Sequence, residues 1–80
     1  MEIAEIIVRT DLEIRSVSRS LQEAWDADNQ LMIKLLGMKL DALRTHRTEL
    51  ADRMYQEVGL ERAMELINYW RRELDHLYGR

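Results

Sequence analysis

The chain has 80 residues, of which 46% are hydrophobic and 34% charged, and 15 acidic against 12 basic residues give a formal charge of −3. The lack of cysteine excludes a disulfide scaffold, a thiolate metal site and a cysteine nucleophile. The lack of proline and the presence of only three glycines favour uninterrupted helix over a β-rich fold. The negative charge disfavours nucleic acid and anionic lipid, and no apolar run approaches the roughly 18 residues of a membrane span, so we expect a cytoplasmic protein that binds no membrane.

Residues 1–30 have two interpretations. Residues 10–13 and 20–23 resemble helix capping boxes, which supports a helix. The region is also rich in β-branched residues, so a short β-hairpin turning at residues 9–11 is the alternative. We favour the helix because that turn lacks the Gly or Asn of tight hairpins. The apolar residues at helical spacing are Ile7, Ile14, Val17, Leu21 and Ala24.

A polar cluster at residues 26–30 follows. Asp28 and Asn29 are natural N-cap residues, and one helix continued through them would place Asp28 on its apolar face. We therefore predict a break within the cluster. The alternative is a continuous helix in which Asp28 or Asn29 fixes the register of a coiled-coil-like dimer.

A second helix is predicted over residues 30–57. Its stripe consists of Leu36, Leu40, Leu43, Arg47, Leu50 and Met54. Gly37 lies inside it at a cost of about 1 kcal/mol relative to Ala, which suggests a close helix approach or a local bend. Gly59 is expected to end this helix in the left-handed conformation, so that the chain turns back.

A third helix is predicted over residues 60–78. Its stripe consists of Leu60, Ala63, Ile67, Trp70, Leu74 and Leu77. It forms an antiparallel hairpin with the second helix. The sequence therefore predicts an all-α fold, either a small three-helix bundle or a helical hairpin with an N-terminal helix, in one domain over residues 1–80. A short N-terminal β-hairpin followed by two helices is the alternative.

A chain this short buries only a small apolar core, and small domains without disulfides or metals are commonly stabilised by binding another protein chain. We expect a homodimer formed through the stripes in residues 36–54 and 60–78, or a chain that binds a larger protein. Ten of the twelve basic residues are Arg, and Arg with exposed aromatic residues commonly anchors protein interfaces. The predicted partner-binding residues are Tyr69, Tyr78, Arg71, Arg72, Arg44 and Arg47.

No motif for catalysis or metal binding has a complete set of residues. Glu73 and His76 have the Glu-x-x-His spacing of di-metal bundles, but they lie beside and outside the apolar stripe rather than on it. The serines lie far in sequence from both histidines, and the isolated glycines form no phosphate-binding loop. We expect no catalytic residue, cofactor or metal.

The second half of the chain has one further pattern, carried by Leu43, Arg47, Leu50, Gly59, Leu60, Glu73, Leu74 and Asp75. In outline it is similar to the small sporulation-regulating aspartyl-phosphate phosphatases, with Arg71 and Arg72 in place of that family's Ser-Gln pair. The resemblance implies a helical hairpin that acts on the phosphoaspartate of a response regulator, with Glu73 and Asp75 as the residues to test.

The leading functional hypothesis is a small non-enzymatic regulatory, adaptor or inhibitor protein that binds another protein through its helical faces. The phosphatase-like hairpin is the first alternative. A nucleic-acid accessory protein is the second, and it predicts a steep loss of binding with salt.

Overall fold

The computed structural model describes residues 2–78, with side chains described for residues 2–75. This part of the chain contains three α-helices and no strand: α1, Ile3–Asp26; α2, Gln30–Val58; and α3, Leu60–Tyr78. The all-α prediction is confirmed, and the N-terminal β-hairpin alternative is wrong. The β-branched residues of α1 remain helical because Ile7, Val8 and Val17 are buried, and packing of a helix face outweighs a small difference in propensity.

The two expected capping boxes do not cap anything, because α1 runs through both of them. Thr10 is buried in the helix interior, and its hydroxyl donates a hydrogen bond of 2.7 Å to the carbonyl oxygen of Ile6. The side chain thus satisfies its own polar group within the helix. The actual N-cap position is Glu2, whose side chain makes no capping hydrogen bond.

The predicted break between the first two helices is confirmed. α1 ends at Asp26, and Asp28 adopts a positive φ of 50°. The side chain of Asn29 accepts a hydrogen bond of 3.2 Å from the backbone N–H of Met32, which makes Asn29 the N-cap of α2. The alternative of one continuous helix is wrong.

Gly59 alone connects α2 to α3. Its N–H donates to the carbonyl of Tyr55 at 2.9 Å, and its own carbonyl accepts from the N–H of Ala63 at 3.0 Å. The positive φ of 83° agrees with the prediction, but ψ is 161°, which lies outside the left-handed helical region. Only glycine adopts this conformation readily, and it allows one residue to end one helix and start the next.

The chain turns back at Gly59, as predicted. Arg47, twelve residues before the glycine, and Arg71, twelve residues after it, both reach the carboxylate of Asp11 on α1. The expected hairpin partnership is nevertheless only partly correct. α2 packs mainly against α1 and less extensively against α3.

The core lies where α1, the second half of α2 and α3 meet. It consists of Ala4, Ile7, Val8, Ala51, Met54, Ala63, Ile67 and Leu74. Leu60 was expected in this core but is 64% exposed, and the side chain of Leu77 lies outside the described residues. The stripes expected to mediate self-association therefore contribute largely to the core of a single chain.

α3 is too short to cover α2. Its 19 residues span about 28 Å, whereas the 29 residues of α2 span about 43 Å, so α3 folds back only to about residue 40. Among the described helices, the first part of α2 therefore packs against α1 and not against α3. Gly37 lies in this part, and a Cβ built on it meets nothing within 4 Å, so the expected close helix approach is wrong.

Candidate functional site

Two adjoining depressions run along the exposed side of α1 that carries Arg15, Ser16 and Arg19. They have volumes of about 430 and 290 Å³ and share Leu12 and Arg15. We call this surface the arginine trough. Its described arginines are Arg9, Arg15, Arg19, Arg71 and Arg72, and its described acidic residues are Asp11, Glu13 and Asp75. Five bases against three acids give a local excess of two positive charges on a chain whose formal charge is −3.

Helical spacing produces the trough. Leu12, Arg15 and Arg19 lie three and four residues apart, so their side chains follow one side of α1. Arg71 and Arg72 of α3 line the smaller depression, because α3 folds back beside α1. The partly exposed side chain of Leu12 provides apolar surface between these charges, and the buried Val8 lies beneath it.

Asp11 connects all three helices at one edge of the trough. Its carboxylate accepts a hydrogen bond of 2.9 Å from Arg47 Nε and lies 3.6 Å from Arg71 Nη2. The pKa of Arg47 is raised above its ordinary value, chiefly by the hydrogen bond to Asp11, while partial burial acts in the opposite direction. Arg47 therefore stays charged and is held by the fold.

Other ion pairs reduce the negative charge of the trough. Glu13 lies 3.7 Å from Lys39 of α2, and Asp11 is shared by the two arginines described above. Among the described residues, Arg15, Arg19 and Arg72 make no ion pair within the chain. These three guanidinium groups are available to carboxylates from outside.

The four predicted arginines lie in three places: two beside Asp11, one in the trough and one elsewhere on α2. Arg47 is held inside by Asp11, and Arg71 is half-exposed beside the same carboxylate. Arg72 is exposed in the trough. Arg44 is exposed on α2 and does not line the trough.

The predicted aromatic residues do not line the arginine trough. Tyr69 is 47% exposed and packs edge-on against Trp70, with ring centroids 5.3 Å apart. Trp70 Nε1 donates a hydrogen bond of 3.0 Å to Glu2, which ties the start of α1 to α3. The side chain of Tyr78 lies outside the described residues. The six predicted residues thus do not form one surface.

Arg15 and Arg19 are not among the residues predicted from the sequence to bind a partner. Their four-residue spacing and their position three and seven residues after Leu12 were a usable signal, because such residues share one helix face. What the sequence did not contain was the position of α3, which brings Arg72 to the same surface.

The residues implied by the phosphatase resemblance lie on both sides of buried Leu74, where Glu73 and Asp75 are exposed and Asp75 lines the trough. Within the described part of the chain, no three His, Asp or Glu side chains are grouped closely enough to hold a metal ion. No described helix combines the length and apolarity needed to cross a membrane. No family model, curated protein or solved structure matches this chain.

Proposed function

We propose that the protein is a small non-enzymatic regulatory or adaptor protein that binds an acidic segment of a larger protein in the arginine trough. One observation carries the proposal: Arg15, Arg19 and Arg72 surround apolar surface without an ion-pair partner among the described residues. Occupying such a segment would make the protein an inhibitor or an adaptor, depending on what else the segment binds.

The chemistry of the trough suits a protein ligand. Guanidinium groups bind carboxylates through paired, directional hydrogen bonds, and arginine is enriched at the energetic centres of protein interfaces. Apolar surface at Leu12 favours a segment that carries an apolar side chain between acidic ones. An amphipathic acidic helix laid along α1 has this pattern.

Nucleic acid is a weaker fit to the same surface. The local excess is only two positive charges, and the described lining contains no aromatic side chain on which a base would stack. The rest of the chain carries a negative balance that repels a long phosphate backbone.

The proposal is tested by selecting random displayed peptides on the immobilised full-length chain. We expect the enriched peptides to contain regularly spaced Asp or Glu together with apolar residues. The double variant Arg15→Ala/Arg19→Ala should bind these peptides at least about ten-fold more weakly, since each lost charge-assisted contact is worth about 1 kcal/mol or more.

The matched control is Arg53→Ala/Arg62→Ala, which removes the same charge from exposed helix positions outside the trough. It should keep the affinity of the unmodified chain. Enriched peptides without excess acid, or equal losses in the two double variants, would contradict the proposal. Tighter, steeply salt-dependent binding to single-stranded DNA would favour the nucleic-acid alternative instead.

A further inference from the structure

The first part of α2 carries a second apolar stripe, on its outer side. Leu31, Leu35 and Met38 are 66%, 50% and 62% exposed, and Ala42 continues the same spacing of four, three and four residues. This spacing keeps all four side chains within a narrow sector of the helix. We call these four residues the outer stripe.

The same part of α2 is also apolar on its inner side. Leu40 is buried at 6%, and Leu36 and Leu43 are half-buried on the face that packs against α1. At about 100° per residue the two stripes lie nearly opposite each other. A helix that is apolar on opposite sides is stable in water when both sides are covered, and α3 does not reach this part of α2.

We propose that the outer stripe packs against the outer stripe of a second copy of this chain, with the two α2 helices antiparallel. The spacing is symmetric about a point between Leu36 and Gly37, so Leu31 of one copy meets Ala42 of the other, and Leu35 meets Met38. A symmetric dimer requires this kind of self-complementary surface. Each α2 is then covered by its own α1 on one side and by the second α2 on the other.

Charge complementarity selects the second copy as the occupant. Lys34 and Asp41 lie on the same edge of the outer stripe, seven residues apart, and neither has an ion-pair partner among the described residues of its own chain. A two-fold axis perpendicular to the helices places this edge against the same edge of the second copy. Lys34 of each copy then lies close to Asp41 of the other, and the dimer gains two ion pairs.

The opposite edge is also compatible. It carries Met32 and Lys39, whose ammonium group lies 3.7 Å from Glu13 of its own α1, and the same symmetry places the aliphatic stem of Lys39 over Met32 of the second copy. A parallel arrangement would instead bring Lys34 of one copy opposite Lys39 of the other, twice. Because charges flanking an apolar seam set helix orientation, the pattern favours the antiparallel dimer.

The size of the surface sets the strength of association. Three large side chains on each copy form an interface well below the roughly 800 Å² per partner of a standard stable complex. We therefore expect a reversible dimer with a dissociation constant in the micromolar range. This association is independent of the arginine trough, which lies on α1.

The experiment is sedimentation equilibrium of the full chain from about 1 μM to about 1 mM, with helicity checked by circular dichroism. Leu35→Glu should weaken the dimer at least about 100-fold, because it buries a charge in the interface. The matched control Leu60→Glu changes a leucine of similar exposure on α3 and should leave the dimer unchanged. A monomer at every concentration, or a dimer unaffected by Leu35→Glu, would overturn the proposal.

Charge exchange tests the orientation. Lys34→Asp and Asp41→Lys should each weaken the antiparallel dimer roughly three- to ten-fold, and the double variant should restore it. In a parallel dimer Lys34→Asp would strengthen association by removing two Lys–Lys contacts. Spin labels on Thr45 should be separated by about 25 Å along the antiparallel helices; a separation near 10 Å would show the parallel arrangement and overturn the proposal.

Discussion

Gly37 and Gly59 should respond oppositely to the same substitution. Gly37 lies inside α2, where its hydrogen bonds and dihedral angles are helical, and a Cβ built there meets nothing within 4 Å. Gly37→Ala therefore adds helix propensity without a steric penalty. The expected gain in the free energy of unfolding is about 0.5–1 kcal/mol, part of which comes from a less flexible unfolded chain.

Gly59→Ala should destabilise the protein. A Cβ built on Gly59 also meets nothing within 4 Å, so neighbouring side chains impose no penalty. The penalty comes from the backbone, because φ of 83° and ψ of 161° are strained for any residue with a Cβ. We expect a loss of about 1–3 kcal/mol.

Thermal unfolding followed by circular dichroism measures both effects. For a domain of this size 1 kcal/mol corresponds to about 4–8 °C in Tm, so the two variants should move Tm in opposite directions by several degrees. Both are compared at one low protein concentration, because dimerisation would raise Tm by mass action. The two sites are far apart, so the double variant should show the sum of the single effects. Destabilisation by Gly37→Ala, or a neutral Gly59→Ala, would refute the reasoning.

Three further predictions concern the helix junctions, the core and the interhelical ion pair. Asn29→Ala should cost about 1 kcal/mol in urea unfolding because the cap of α2 is lost, and Asn29→Asp should restore most of it. Ile67→Ala should cost about 2–5 kcal/mol, whereas Leu60→Ala should cost less than about 0.5 kcal/mol, because Ile67 is 1% and Leu60 is 64% exposed. A double-mutant cycle of Asp11→Ala and Arg47→Ala should give a coupling of about 1–2 kcal/mol, reduced from a fully buried value because both side chains are more than a quarter exposed. The raised pKa of Arg47 means that the guanidinium group is fully charged at any pH below the ordinary arginine pKa, so the ion pair with Asp11 should stabilise the fold equally between about pH 7 and pH 10. A coupling energy that falls within this range, or no coupling at all, would contradict the proposed ion pair.

The helices and their junctions were predictable because their causes are local. Asn29 caps a helix through a hydrogen bond to a residue three positions later, and Gly59 adopts a conformation that other residues avoid. Neither effect depends on distant contacts. The helical period of α1 and α3 likewise follows from the spacing of residues within each segment.

Which apolar stripe of a helix is buried was not predictable, because burial depends on how far along that helix a neighbouring helix extends. Leu60 continues the stripe of α3 but lies immediately after the turn, where no helix covers it. Leu35 and Met38 belong to a second stripe on α2, outside the single apolar face predicted for that helix. The relative lengths of α2 and α3 decide which stripe is buried.

The roles of the arginines were equally hidden in the sequence. Arg47 is held by Asp11, which lies 36 residues away, whereas Arg15 and Arg19 have no ion-pair partner among the described residues. Composition and spacing alone do not distinguish Arg47 from Arg15 and Arg19. Only the approach of α1 to α2 distinguishes an arginine that holds helices together from one that is open to a ligand.

The positions of the two proposed surfaces predict bivalent binding. The arginine trough faces outward from α1, whereas the outer stripe lies on the side of α2 that is turned away from α1. A dimer formed through the stripe therefore leaves both troughs open, on opposite sides of the assembly. Against a chain that carries two acidic segments joined by a flexible linker long enough to reach both sides of the dimer, the second contact would form at an effective concentration set by that linker, so binding would be tighter than at one trough. Leu35→Glu should lose this gain yet keep the affinity of the unmodified chain for a single peptide in solution; a parallel loss of both would mean that the stripe, and not the trough, binds the peptide.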